Sequence, residues 1–182
     1  WAIAYKHDFA EAHNNLGSAL NDFGRTEEAI QSFKKALIYK PDYPRALFNL
    51  SLAYKEVGNK KLSFNIIEKA LKLSPQWSDA HLELSRLKKY KKNDPQIPLV
   101  HDLVSNDEVS LSDLINYNFT LAKIYEDLED YQKQFKFLNE ANKLRKKDSG
   151  YHFDKDVSLF INIKESFKSP PSILSHSEIN SE

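Results

Sequence analysis

A single step of 34 residues runs through the first half of the chain and decides what it can fold into. Leu16, Leu50 and Leu84 keep that step, and so do Ala12, Ala46 and Ala80. Ala19 and Ala53, Gly24 and Gly58, Ala36 and Ala70, Leu37 and Leu71, and Pro41 and Pro75 each repeat it once. Small, apolar and turn-forming residues that return in one register mark a repeated supersecondary unit. Such a unit cannot bury its apolar face alone, so copies must stack on one another.

The content of one period says what the unit is. Leu16 and Leu20 share one face of a helix expected over about Ala10–Phe23, and Gly17 and Ala19 are small enough for a second helix to come close. Gly24 ends that helix, since glycine takes the left-handed terminal conformation without strain. A second helix follows over about Thr26–Tyr39, with Ala29, Ile30, Phe33, Ala36 and Leu37 as its apolar stripe. Pro41 stops it, Asp42 is placed to cap the next helix and Pro44 to sit in its first turn. Asp8 and Glu11 have the spacing of a capping box at the start of the first helix. With only 4 glycines and 7 prolines in 182 residues, the tight turns of an all-β fold have few places to form. The chain reads as all-α, a right-handed superhelical solenoid of antiparallel helix hairpins with one further helix at its C-terminal end.

The segment Ala10–Tyr43, AEAHNNLGSALNDFGRTEEAIQSFKKALIYKPDY, resembles a tetratricopeptide repeat at nearly every signature place. Pro44–Trp77 is similar, with Ser51 in place of the usual glycine and Ser63 in place of the usual second-helix alanine. Residues 1–9 read as the end of an earlier repeat, with Ala2 and Ile3 in register with Ala36 and Leu37 and His7 where the proline belongs. Together with the absence of a start methionine, this leads us to expect an internal piece of a longer array. Residues 78–110 form an irregular repeat. After Lys88-Lys89-Tyr90-Lys91-Lys92, Asn93-Asp94-Pro95 starts a short helix through about Val104, and Leu121 follows Leu84 by 37 residues, not 34. Residues 111–148 form the next repeat, with Ala122, Tyr125, Phe135, Leu138 and Ala141 expected on inner faces and Asp130 as the cap of its second helix.

The period is lost in residues 149–169, where Asp154–Phe167 reads as one helix that either caps the last hairpin, the favoured reading, or covers the apolar surface of the groove. Ser169-Pro170-Pro171 ends it, and residues 170–182 are polar and linker-like. The order of regular repeats, Asp94-Pro95 helix, offset repeat and a stretch with Tyr151, Asp154 and Phe167 before two prolines resembles the bacterial tetratricopeptide-repeat sulfotransferases. That resemblance implies a substrate-recruiting arm ahead of a domain that uses 3′-phosphoadenosine-5′-phosphosulfate and lies beyond Glu182. It carries over no catalytic residue: neither G-x-x-x-x-G-K-[ST] nor the group's Arg-Ser-Gly-Thr version occurs in these residues.

Composition excludes several function classes. The absence of cysteine removes disulfide frameworks, cysteine-based zinc sites and thiol nucleophiles. Lys and Arg total 26 against 26 Asp and Glu, so there is no basic excess for nucleic acid. The runs Lys88–Lys92 and Lys143–Lys147 fall where helices should end, and cations there complement the helix dipole. No stretch approaches the roughly 20 apolar residues of a membrane span, and the first residues lack a signal peptide's layout; a cytoplasmic location is the expectation. Among six histidines none shows the i, i+4 spacing of a zinc helix; His13 and His81 occupy the same bulky place of their repeats. No nucleophile lies beside a base, so neither catalysis nor a cofactor is expected in these residues.

The face with a binding mechanism is the concave one, which the first helix of each hairpin lines in tetratricopeptide arrays. By register it receives Asn14, Ser18 and Asn21 from the first unit and Arg45, Phe48, Leu52 and Lys55 from the second. Leu82 and Arg86 come from the third, and Phe119 and Lys123 from the fourth. Asn15 and Asn49 add a short asparagine ladder, which ends because Glu83 and Thr120 hold the next rungs. An Asn amide both donates and accepts, so it grips peptide backbone without reading sequence. Phe48, Leu52, Leu82 and Phe119 place apolar surface in an otherwise wet channel, each worth about 1.5–3 kcal/mol if covered. A protein or peptide ligand is therefore the expected partner, with no nucleic acid and no membrane. A homodimer formed by the unpaired Trp1–Ile3 region is a further expectation.

Overall fold

The computed structural model describes residues 2–149 and 153–166, and among them it holds nine helices and no strand. They are α1 (Ala2–Asp22), α2 (Thr26–Tyr39), α3 (Pro44–Glu56), α4 (Lys60–Leu73), α5 (Ser78–Leu87), α6 (Gln96–Val104), α7 (Leu111–Asp127), α8 (Tyr131–Asp148) and α9 (Phe153–Ser166). Two compact units result, residues 1–145 and 146–182.

In the first unit three hairpins, α1–α2, α3–α4 and α7–α8, close in one way. Arg25 N–H donates to Leu20 C=O at 2.9 Å, Asn59 N–H to Tyr54 C=O at 2.8 Å, and Asp130 N–H to Tyr125 C=O at 3.0 Å. These six-to-one bonds each wrap a left-handed residue, the geometry of a Schellman terminus. Gly24 (φ 74°) and Gly58 (φ 80°) supply it twice; in the last hairpin Glu129 holds φ 59° with a side chain present. The second helices then start on side-chain caps where the sequence offers them. Asn59 accepts from Leu62 N–H at 3.1 Å, and Asp130, as expected, accepts from Lys133 N–H at 3.2 Å. Asp42 does not cap α3: Tyr43 occupies the cap position without a side-chain bond, and Pro44 opens the helix.

Two expectations about helix limits are corrected. Helix α1 is continuous over 21 residues, through the place where an earlier repeat was to end and a new helix begin. Pro41 and Pro75 stop helices at this register, but His7 keeps its N–H and imposes no stop. Asp8 and Glu11 therefore lie inside a helix and not at its start, where a capping box belongs. The final repeat starts at Leu111, where Ser110 caps α7 by accepting from Asp113 N–H at 3.1 Å.

The core is a row of clusters, one per junction. Ala29, Ile30 and Phe33 of α2 pack with Leu50 and Ala53 of α3, and Ile67 of α4 packs with Ala80 and Leu84 of α5. The third cluster joins Tyr90, Val100 and Leu103 to Tyr117, Leu121, Ile124, Tyr125 and Phe137. Inside the first hairpin Gly17 is required by space, since a Cβ built on it would stand 2.6–3.0 Å from three ring carbons of Phe33. One period later Ser51 faces the same register with the slimmer Ile67 in the place of Phe33. The hydroxyls of Ser51 and Ser63 are buried without a hydrogen-bond partner among the described residues, a consequence of serine replacing glycine and alanine.

In α8 the expected inner residues are only partly inside. Ala141 is fully buried, but Phe135 is 70% exposed and Leu138 39%, while Phe137 is buried and stacks on Tyr125 at 5.5 Å between centroids. Phe135 holds the register of Ile30, the place that faces a following hairpin. In the second unit α9 forms where the sequence led us to expect it and exposes Phe160, Ile161 and Ile163. Trp1, Phe167 and the polar stretch 170–182 lie outside the described residues.

Candidate functional site

Helices α1, α3, α5 and α7 carry the residues expected on the inner face, and the structure sorts these into a closed polar half and an open cleft. At the closed half Asn49 donates to Asn14 Oδ1 at 3.0 Å and to Ser18 Oγ at 3.3 Å, while Ser18 donates to Asn14 C=O at 3.2 Å. These bonds pin α3 to α1. The Asn49 amide is thus committed inside the array, and Asn15 is exposed beside Leu16, so the two expected rungs do not form a ladder. Asn14 is buried, and Asn21 is half-buried with its Oδ1 unpaired among the described residues.

Further along, Arg45 is exposed, and Phe48 lies half-buried against Trp77, their rings 4.7 Å apart. Phe48 is thereby a satellite of the α4–α5 core and not free groove surface. Leu52 is half-buried. Lys55 of α3 and Arg86 of α5 both pair with Glu83, which converts a missing asparagine rung into an ionic tie between the two helices. Asn116 makes the next such tie, donating to Asp79 Oδ1 at 2.8 Å and to Ser78 Oγ at 3.2 Å.

The open part is a cleft of about 190 Å³ lined by Leu82, Ser85, Arg86, Phe119, Lys123 and Arg145. Four of these are expected groove residues; Ser85 and Arg145 are not. Ser85 is fully buried, and its hydroxyl donates to Leu82 C=O at 2.6 Å, so it offers the floor no free polar atom. The Arg145 guanidinium lies 4.5 Å from the centre of the Phe119 ring. Stacking of this kind is worth about 0.5–1 kcal/mol at an exposed site and leaves the edge donors free. No carboxylate pairs with Arg145 among the described residues. Lys123 is held by Asp127 at 2.8 Å and Glu126 at 2.6 Å, and these hydrogen bonds raise its pKa. The cleft thus offers an apolar patch next to two paired cations and one that is unpaired among the described residues. Arg145 was hidden in the sequence because it sits in a basic run that a helix terminus explains by itself.

A buried polar chain runs through the irregular repeat beside this cleft, and no periodic pattern announces it. Tyr90 O–H donates to Gln96 Oε1 at 2.8 Å, the Gln96 amide lies 2.9 Å from His81 Nδ1, and His81 Nε2 lies 2.8 Å from Pro75 C=O. All valences close when His81 is neutral with its proton on Nε2. Burial lowers the His81 pKa and raises that of Tyr90. His101, bonded to Tyr125 Oη at 2.8 Å, is lowered too, first by desolvation and then by Lys133. A lowered histidine pKa means that the unfolded chain binds more protons just below about pH 6.5. Stability is therefore expected to be full above that pH and to fall as pH drops below it, ahead of the carboxylates. Urea unfolding at several pH values checks this: His81→Leu should flatten the slope, and an unchanged slope would refute the assignment. Among the described residues no group of three or more His, Asp or Glu could hold a metal ion, and no helix is long and apolar enough to cross a membrane.

The family model described as TPR repeat matches residues 17–58, and the one described as tetratricopeptide repeat matches 44–76 and 115–148. The chain carries tetratricopeptide repeats, and its fold is their all-α superhelical solenoid. Among solved structures it is similar to MamA, with TM-score 0.60 and 20% identity over 78% of this chain and 81% of that one. It is similar also to PilF of Pseudomonas aeruginosa, with TM-score 0.54 and 22% identity over 74% of this chain and 60% of that one. The nearly identical TPR-like repeats of a Podosopora anserina putative kinesin light chain give TM-score 0.57 and 14% identity, covering 76% of each chain. Identities this low show a shared fold. In sequence, no curated protein matches significantly. Nothing in these comparisons links the chain to the sulfotransferase group.

Proposed function

We propose that the chain is a scaffold that binds a protein or peptide ligand along the inner face of α3, α5 and α7, with no chemistry of its own. The anchor is the cleft, which takes an apolar side chain on Leu82 and Phe119 and a neighbouring carboxylate on Arg145. The observation behind this is the stacked Arg145–Phe119 pair, a cation with no acidic partner among the described residues beside an apolar floor. Arg86 and Lys123 extend the positive edge, so ligands with Asp or Glu beside Leu or Phe are favoured over basic ones.

Selection from a random peptide library on the immobilised chain tests the reading. It should enrich acidic–apolar pairs, and the enriched peptides should lose about tenfold or more in affinity on Arg145→Glu, in line with about 1.5–3 kcal/mol for a charge-assisted hydrogen bond. Rising salt should weaken them further. Enrichment of basic peptides, or binding indifferent to Arg145→Glu, would overturn the proposal.

A further inference from the structure

Two ionic triads border the cleft, and they are opposite in charge. Glu126 and Asp127 share one cation, Lys123. Asp127 also accepts from Tyr90 N–H at 3.1 Å, so this triad is fixed to the loop behind it and carries excess negative charge. Glu83 is the reverse case, one carboxylate shared by Lys55 and Arg86, with excess positive charge. Its oxygens are divided between them: Oε2 accepts from Lys55 of α3 and Oε1 from Arg86. Access differs as well. The Glu83 side chain is 12% exposed, whereas that of Arg86 is 55% exposed and lines the cleft. One period earlier Asn49 ties α3 to α1 with a neutral amide, so glutamate at this register adds a charge that the tie itself does not need.

A carboxylate with two cations can release one of them without being left unpaired, which in a largely buried place would be costly. The partner it can release is Arg86, three residues away on the same helix and open to water, an arrangement of low worth. From this division we infer that Glu83 is the selectivity element of the cleft: it holds Arg86 back in the free chain and yields it to a ligand that brings a second carboxylate, while Lys55 keeps Glu83 paired. A ligand with one acid engages Arg145 alone, and a ligand with two also captures Arg86. The inference rests on the peptide-binding function proposed for the cleft and narrows its ligands to diacidic ones. Glu83 acts through Arg86 and is a positioning residue.

Fluorescence anisotropy with a library-selected acidic–apolar peptide, in versions carrying one and two acidic residues, tests it. Glu83→Gln keeps an acceptor for Lys55 and frees Arg86, so the two-acid peptide should bind about threefold tighter or more. The gain should shrink as salt rises. In an Arg86→Gln background the same change should give no gain. On the wild-type chain the second acid should tighten binding, and on Arg86→Gln it should not, a comparison that does not depend on how the Glu83 variant folds. A purely structural tie predicts the opposite sign, since Glu83→Gln would loosen α5 from α3 and weaken both peptides. That result, an unchanged affinity, or a gain that persists without Arg86 would overturn the inference. If Arg145→Glu still removes binding of the one-acid peptide, the proposed function survives that outcome. If Arg145→Glu leaves the one-acid peptide bound, the proposed function fails and this inference with it.

Discussion

Leu121→Ala should lower the stability of the array by about 3–4 kcal/mol, whereas Leu16→Ala should cost less than about 1 kcal/mol. The two leucines occupy the same place of their repeats, so a count of repeat signatures treats them alike. Their surroundings differ. Leu121 is fully buried in the cluster that joins Val100, Tyr117, Ile124 and Phe137, so truncation removes its transfer energy and leaves a cavity bounded by rigid rings. Leu16 is 50% exposed on the outer face of α1, and alanine there gains helix propensity while little packing is lost. Urea unfolding followed by circular dichroism measures both. Equal losses would mean that the α1 face is covered in solution.

Gly17→Val should cost about 3 kcal/mol, at the upper end of overpacking effects. The first atom added at this position already falls within 3.0 Å of the Phe33 ring, and Phe33 is 1% exposed with no room to swing away. The larger propensity of valine for helix recovers only a few tenths of this. Phe33→Ile introduced together with Gly17→Val should return much of the loss, because Ser51 and Ile67 show the same register with more bulk on one helix and less on the other. A double-mutant cycle on melting temperatures reads the coupling. Additive losses would show that Gly17 matters for its backbone and not for the space it leaves.

These cases show where the sequence was legible and where it was not. The 34-residue step located the hairpins because glycine turns and proline stops act locally: Gly24 and Gly58 have left-handed φ at the expected places. The same reasoning failed at His7, where the period was read in place of the missing stop signal, and α1 runs through. It failed in α8 as well, where Phe137 and not Phe135 is buried, since which side faces inward depends on what packs against the helix. In the candidate site, Leu82, Arg86, Phe119 and Lys123, grouped by register, line one cleft. Asn49 and Phe48 were misread as free surface because their partners, Asn14 and Trp77, lie about one repeat away. The Arg145–Phe119 pair spans α7 and the end of α8, and no periodic pattern encodes it.

Ligand binding at the inner-face cleft, as proposed, is open to direct observation. Photo-crosslinking reads this directly: a benzophenone side chain is placed at Phe119 in one preparation and at Ile38, which is 76% exposed on α2, in another. A peptide selected on the chain should crosslink from position 119 and not from position 38, and Arg145→Glu should suppress the adduct. Adducts from position 38 alone, or from neither position while the peptide remains bound, would contradict it.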